Sequence, residues 1–198
     1  MGVTISGRFI LASASPRRVE LLTLMGIAFE VMPSGVDETV NRGETPREHV
    51  LRLSEEKALA IAHRHTDAWV LGADTIVIIA GEVLGKPGSP PEARAMLEKL
   101  SGQEYEVFTG FSSARQDAGI LIREVVESTV LFREITGDEM DWYTASEEPY
   151  DKAGAYAVQG MGAFFIREIR GSYTNVMGLP LCEVVEALKR VSAIVFSG

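Results

Sequence analysis

Apolar and polar positions change period several times along the 198-residue chain, and each change predicts an element. Arg8 to Ser13 (RFILAS) is a short apolar run of the kind a buried strand needs. Ser15 and Pro16 follow as N-cap and first helical residue, and Val19, Leu21, Leu22 and Met25 continue as an apolar stripe at helical spacing. Segment 29–36 (FEVMPSGV) reads as another short strand, and 37–44 (DETVNRGE) as a polar loop. Thr45-Pro46-Arg47-Glu48 is a capping box with proline at the first helical position, and it opens a helix to about His63. Val50, Leu53 and Ile61 share one face of that helix, and Lys57 falls on the same face. The run WVLGA, Trp69 to Ala73, predicts a buried strand that ends where Asp74 begins a loop, and IVII with EVLG around Ala80-Gly81 predicts a tight hairpin. Pro91-Glu92 opens a helix with apolar positions Ala93, Met96, Leu97 and Leu100, stopped at Ser101-Gly102. Two long β segments follow, at about 104–114 and 120–133, joined by Asp117-Ala118-Gly119. A second capping box, Thr136 to Glu139, opens a helix to about Ser146. A loop (147–162), a strand (AFFIREI, 163–169), a turn-rich stretch (GSYTNVMG, 171–178) and a last helix from Pro180 to about Val191 complete the chain. Strands interleaved with helices, plus one long hairpin, give an α/β fold with a mixed, twisted sheet and flanking helices.

Composition narrows the function classes more than the fold. With 46% hydrophobic residues the chain can bury a core as one compact domain or two small lobes. No apolar run is long enough to span a bilayer, and the start lacks the layout of a signal peptide, so a soluble cytoplasmic protein is expected. Cys182 is the single cysteine, which excludes an intrachain disulfide or a thiolate metal site; in LPLCEVV it reads as a small buried apolar residue. His49, His63 and His65 fall in one helical stretch rich in solvated groups, poor ground for a zinc site or a histidine-activated nucleophile. A net charge of −9 and a pI of about 4.9 are wrong for gripping nucleic acid through its phosphates. Any anionic ligand must therefore meet a local basic cluster, which makes the placement of single Lys and Arg residues informative.

Arg17 and Arg18 occupy positions N2 and N3 of the first helix, where the macrodipole is already positive and a cation loses about 0.3–1 kcal/mol. Either they are solvated surface arginines, or they complete an anion site made with free backbone N–H groups. Lys57 poses a similar choice: its stem covers apolar surface while the ammonium reaches solvent, or something anionic meets it inside. Asp74, after a buried strand, stands where α/β proteins place reactive groups and ligands. Asp37 and Glu38 form a second acidic point, and Lys86 sits in the tight loop GKPGS. Carboxylates with water and phosphate oxygens suit Mg²⁺ or Mn²⁺. Alternating basic points (Arg17, Arg18, Lys57, Lys86) and acidic points (Glu38, Asp74) are the mixture phosphoryl transfer needs. Neither GxxxxGK[ST] nor GxGxxG is present, so the P-loop and Rossmann readings lose support.

The motifs ASASPRRVELL, GADTIV, GEVLGKP, LSGQEYEV, EPYDKAGAYAVQG and GSYTNVMGLPL stand in this order over about residues 10–185. Together they resemble the Maf family of nucleoside triphosphate pyrophosphatases, also called septum formation inhibitor proteins. The resemblance implies a single Maf-like, ITPase-like domain over residues 1–198, two lobes around a central substrate cleft, and frequent dimers. It implies hydrolysis of a nucleoside triphosphate to monophosphate and pyrophosphate, dependent on Mg²⁺, Mn²⁺ or Co²⁺, with Glu38 and Asp74 as metal ligands. By motif, Arg17 and Arg18 bind phosphate with Ser15 helping, Glu38, Lys57 and Lys86 serve catalysis, and Asp74 is the proton acceptor. Tyr105 departs from the pattern, since relatives often carry His after LSG; a tyrosine keeps bulk and a hydrogen bond but shuttles no proton near pH 7.

Three positions carry the choice of base in the family: Arg17, Thr75 and Gln159. ADT and VQG resemble the branch acting on dTTP and UTP, and modified pyrimidine nucleotides fall within the same expectation. A thymine or uracil edge offers an N3–H donor beside carbonyl acceptors, which one neutral amide can match, whereas a guanine edge offers two adjacent donors better met by a carboxylate. A nucleotide-binding regulator of cell division that performs no catalysis is the alternative reading, as is a nucleotide sensor. Metal carboxylates and lysines are what binding alone would not need.

Overall fold

The expectation of a mixed α/β chain holds in the computed structural model, which describes residues 2–197. In chain order the elements are β1 (Gly2–Ile5), β2 (Phe9–Leu11), α1 (Pro16–Leu24), β3 (Glu30–Val31), α2 (Pro46–Ala62), β4 (Trp69–Ile79) and β5 (Glu82–Leu84). Then come α3 (Pro90–Leu100), β6 (Glu104–Arg115), β7 (Ile120–Phe132), α4 (Gly137–Thr144), β8 (Ile166–Arg170), α5 (Tyr173–Val176), α6 (Leu181–Arg190) and β9 (Ile194–Ser197). The chain forms two compact units: residues 1–75, 109–126 and 178–198 in the first, and 76–108 and 127–177 in the second. The strands β4, β6 and β7 each run on from one unit into the other.

In the first unit the sheet order is β3-β2-β4-β6-β7, with β2 parallel to both β3 and β4. Parallel strands covered on both faces read as continuous apolar runs, and β2 and the first half of β4 are buried throughout. α2 lies flush on this sheet because two glycines let it. A Cβ added at Gly72 would sit 2.3 Å from the Ser54 carbonyl oxygen, and one at Gly110 2.2 Å from that of Val50. At that approach Val50, Leu53 and Ile61 enter the core, and the Ser54 and Ser112 hydroxyls share a buried 2.8 Å hydrogen bond. β1 and β9 pair antiparallel, Gly2 opposite Ser197, as a separate two-stranded sheet that joins the two ends of the described chain.

In the second unit β5 pairs antiparallel with β4 and β8 with β7, so the sheet as a whole is mixed. Its core is aromatic: Tyr105, Phe132 and Tyr156 meet edge to face with centroids 4.9 to 5.8 Å apart, and Tyr143 meets Phe165 at 5.1 Å. Tyr105 is thus a core residue, and burial raises its phenol well above the ordinary value.

Both capping boxes form as the sequence predicts, at Thr45 with Glu48 and at Thr136 with Glu139. Several expectations change. β4 does not stop at Ala73 but continues to Ile79, so Asp74 and Thr75 lie inside a strand; the run is buried almost without a break, and an acid within it has to be paired. The segment 29–36 keeps only two strand residues, and 163–169 divides into a 3₁₀ turn, Met161–Phe165, and β8. Cys182 is exposed rather than buried, because it falls on the outer face of α6 while Val184, Ala187 and Leu188 face inward. His49 is buried, its Nδ1 3.1 Å from Glu44 Oε2.

Candidate active site

Three pieces of the first unit bring charge to one place. α2 supplies Lys57, only 5% exposed, one turn beyond Leu53 on the face that Gly72 and Gly110 press to the sheet. β4 supplies Asp74, 7% exposed, whose Oδ1 accepts a 2.7 Å hydrogen bond from Lys57 Nζ. The loop before α2 supplies Glu38, with Oε1 2.6 Å from the same ammonium. One buried cation thus holds two carboxylates. Glu38 keeps a largely exposed side chain while Asp74 does not, so this group opens to water from the Glu38 side.

The loop carrying Glu38 is tied to α2 by Arg52. Its guanidinium donates to Thr39 O at 3.1 Å and forms a fork onto Glu44 at 2.6 and 2.8 Å. Glu44 also accepts from the Asn41 N–H, and Arg52 first, then this N–H and His49, hold its carboxyl down at about 2 against burial. Asp37 accepts from the Thr39 N–H and hydroxyl, which tightens the same loop from within. Arg52 anchors the loop that carries Glu38, and it is not among the residues singled out from the sequence. Its signal in the sequence is only its place five residues before Lys57, and its partner lies eight residues upstream across a loop, beyond helical spacing.

Arg17 and Arg18 separate. Arg18 is buried, 8% exposed, and donates from Nε to Gly178 O (2.8 Å), from Nη1 to Ala73 O (2.8 Å) and Ser13 Oγ (3.1 Å), and from Nη2 to Thr75 Oγ1 (3.1 Å). Those bonds use four of the five N–H groups a guanidinium carries. Burial pulls its pKa below the ordinary value; Asp74 and Glu38 oppose that, and Arg17 adds to it. The cation at the helix start is therefore neither solvated nor idle: it ties α1 to β4 and to the turn before α6. Arg17 is half-buried. Ser15 stands at the N-cap without a side-chain capping bond, and Ser13 Oγ takes the Ser15 N–H at 3.2 Å as well as Arg18. The Thr75 hydroxyl is 2.9 Å from Thr109 Oγ1 and 3.3 Å from Gly178 O, so a ring of bonds surrounds the Arg18 fork.

The second unit carries the other two motif positions. Lys86 is exposed in the loop after β5, and Gln159 is exposed in the segment before the 3₁₀ turn. Glu148, inside EPYDK, is the further residue that the sequence reading missed there. Its carboxylate accepts from Tyr143 Oη at 2.9 Å and from the N–H groups of Met161 and Gly162 at 2.8 and 2.9 Å. Burial alone would raise Glu148, but those N–H groups, the Tyr143 hydroxyl and Lys152 outweigh it and hold the carboxyl below its ordinary value. Among the described residues no three His, Cys, Asp or Glu side chains gather as a complete metal site, and no helix is long and apolar enough to cross a membrane.

Comparison with known proteins bears on the fold and the family. The solved structure of the Staphylococcus aureus Ham1 protein covers 94% of this chain and 100% of its own at a TM-score of 0.51 and 15% identity, a likeness of fold. A dTTP/UTP pyrophosphatase of Syntrophus aciditrophicus (strain SB) is 64% identical over 194 residues, 98% of this chain and 95% of the relative. One of the same description from Geotalea uraniireducens (strain Rf4) is 50% identical over 93% of this chain and 95% of its own. The family described as Maf-like protein matches residues 8–191, and with relatives at these identities the chain belongs to the Maf family.

Proposed function

We propose that this protein hydrolyses dTTP and UTP to the nucleoside monophosphate and pyrophosphate, as the descriptions of its relatives suggest. The observation that carries the reading is the buried Lys57 ammonium joined to both Asp74 and Glu38, beside the Arg17 and Arg18 charges. A purely structural ion pair would need one carboxylate; a second, solvent-facing one is the kind of oxygen donor that a divalent cation accompanying a triphosphate would need. Asp74 takes the proton of the attacking water, whose oxygen forms the new bond to the α-phosphorus as the bond to the bridging oxygen breaks and pyrophosphate leaves. Lys57 fixes the direction of Asp74, and Arg17, with Ser15 at the helix start, takes phosphate oxygens along with the remaining N–H of Arg18. Lys86 adds positive charge for the leaving pyrophosphate.

The donor set fits a divalent metal in part. Glu38 and Asp74 are two hard oxygen ligands brought to one ammonium, and a Mg²⁺, Mn²⁺ or Co²⁺ ion held by them would complete its shell from water and the triphosphate. Such an ion supplies Lewis-acid neutralisation of phosphate oxygens. Gln159 reads the base, its neutral amide matching the donor and acceptor edge of thymine or uracil. Thr75 contributes to nucleotide choice through Arg18, because its hydroxyl is spent on that fork. Residues 1–198 act as one catalytic domain, since neither compact unit is a continuous stretch of chain.

Pyrophosphate release measured on dTTP, UTP, CTP and GTP with each metal tests the reading. Asp74→Asn is expected to lower kcat by roughly 10²- to 10⁴-fold with the fold intact by circular dichroism and dTTP still bound. Retained pyrophosphate release by that variant would reject it. Gln159→Glu is expected to lower kcat/KM for dTTP and UTP much more than for guanine nucleotides.

A further inference from the structure

The segment that carries Gln159 has little regular structure of its own, yet it is bound on both sides of that residue. Upstream, the Ala157 N–H donates to Tyr143 Oη at 3.2 Å. Downstream, the Met161 and Gly162 N–H groups donate to Glu148 Oε2 and Oε1 at 2.8 and 2.9 Å. Tyr143 Oη in turn donates to Glu148 Oε1 at 2.9 Å, so a single phenol and carboxylate hold the whole stretch 157–162. Two glycines show how tightly. A Cβ at Gly160 would fall 2.1 Å from Glu148 Oε2, and one at Gly162 2.8 Å from Tyr143 Oη. The sequence thus places glycine where the backbone must reach the carboxylate, and leaves the Gln159 side chain exposed between the two anchors.

We infer that Glu148, braced by Tyr143, is a positioning residue for nucleotide choice: it holds the backbone that presents Gln159 to the base. The inference rests on Gln159 reading the base, and it adds the reason that reading is selective. A primary amide can present donor and acceptor in either order, and so can suit cytosine as readily as uracil unless its position is fixed. A carboxylate is the group that can accept from Tyr143, Met161 and Gly162 at once. An amide at position 148 keeps the size but turns one of its ends into a donor, so it must face at least one N–H donor with no acceptor.

Steady-state kinetics on the full chain test this, with dTTP, UTP and CTP as substrates and Glu148→Gln, Gly160→Ala and Gln159→Ala as variants. Glu148→Gln is expected to raise KM for dTTP and UTP by about tenfold, to leave kcat within about twofold, and to narrow the preference over CTP. Gly160→Ala, which pushes the same backbone from the same carboxylate, is expected to do likewise. Adding Glu148→Gln to Gln159→Ala is expected to change the preference no further, because both act through one side chain. A merely structural role would appear as a fall in kcat on every substrate, in step with a lower melting temperature, and would overturn the inference. So would an unchanged preference in Glu148→Gln where Gln159→Ala loses it. If Gln159→Ala itself keeps the preference, base reading by Gln159 is refuted, a result distinct from either of those. Amide exchange of Met161 and Gly162 gives the readout for variants of low activity: faster exchange in folded Glu148→Gln is expected, and exchange equal to the parent would overturn the anchoring.

Discussion

Arg18 shows what a single side chain can be asked to do. At a helix start its charge opposes the dipole, and the fork offsets that loss by satisfying two buried carbonyls and two hydroxyls on three separate stretches of chain. Lysine cannot reproduce this, because an ammonium on a flexible stem has no planar fork to span Gly178, Ala73 and Thr75 together. Arg18→Lys is expected to lose about 2–5 kcal/mol, as buried acceptors lose their donors, and to lower Tm by roughly 5–15 °C. Arg17→Lys, at a half-buried position, is expected to melt near the parent and to show its effect in a raised KM for dTTP. Thermal melts followed by circular dichroism check the contrast, and equal Tm values for the two variants would rule it out. The sequence could flag these arginines as out of place but could not divide them, since adjacent positions on a helix look alike until the packing shows which one turns inward. Lys57 was more legible: its place on the apolar face posed a choice between an ammonium reaching solvent and an internal anion, and the structure supplies Asp74 and Glu38.

At the scale of elements, α2 is the part on which the rest depends. It carries Lys57, holds the Glu38 loop through Arg52, and lies where Gly72 and Gly110 admit it. Gly110→Ala is expected to force α2 outward, because its Cβ would overlap the Val50 carbonyl; the loss expected is at least the 1–3 kcal/mol typical of overpacking, with activity falling alongside stability. Urea unfolding and kinetics on the same preparation test it. The loop tie has a pH signature. Glu44 is held down from 4.5 to about 2, so its contribution is fully present above about pH 4.5 and fades as pH falls toward 2. The urea midpoint of the parent is expected to drop between pH 4.5 and 3 more steeply than that of Glu44→Gln, and parallel profiles would show the tie to be inert. Helix starts were the most legible elements, because capping boxes are local chemistry; α1, α2, α3 and α4 all begin within a residue of where the sequence puts them. β4 was less so, since an aspartate in an apolar run reads as a strand end unless its partner seventeen residues earlier is known. The β1–β9 pair was not legible at all: GVTI and IVFS are four residues each, at opposite ends of the chain, with no local pattern to link them.

For the whole molecule the question is whether two compact units behave as one. Each is built from separated stretches of chain, and the strands β4, β6 and β7 are covalently continuous across both. When one unit melts, the frayed ends of three strands release the ladder in the other, so unfolding is expected to be a single transition. The two tryptophans allow a direct test, because Trp69 lies in the first unit and Trp142 in the second. Trp142→Phe leaves a reporter buried in β4; Trp69→Phe leaves one at the surface of α4, beside Phe164 at 5.8 Å between ring centroids. Trp69→Phe also removes the 3.3 Å indole bond to Ser6 Oγ, so its midpoint must be compared with its own circular dichroism and not with the parent's. In each variant fluorescence and far-ultraviolet circular dichroism are expected to give coincident urea midpoints and equal slopes, as two-state unfolding requires. A fluorescence transition that precedes the circular dichroism one in either variant would show the units to unfold separately, and the chain would then have to be treated as two domains that share strands.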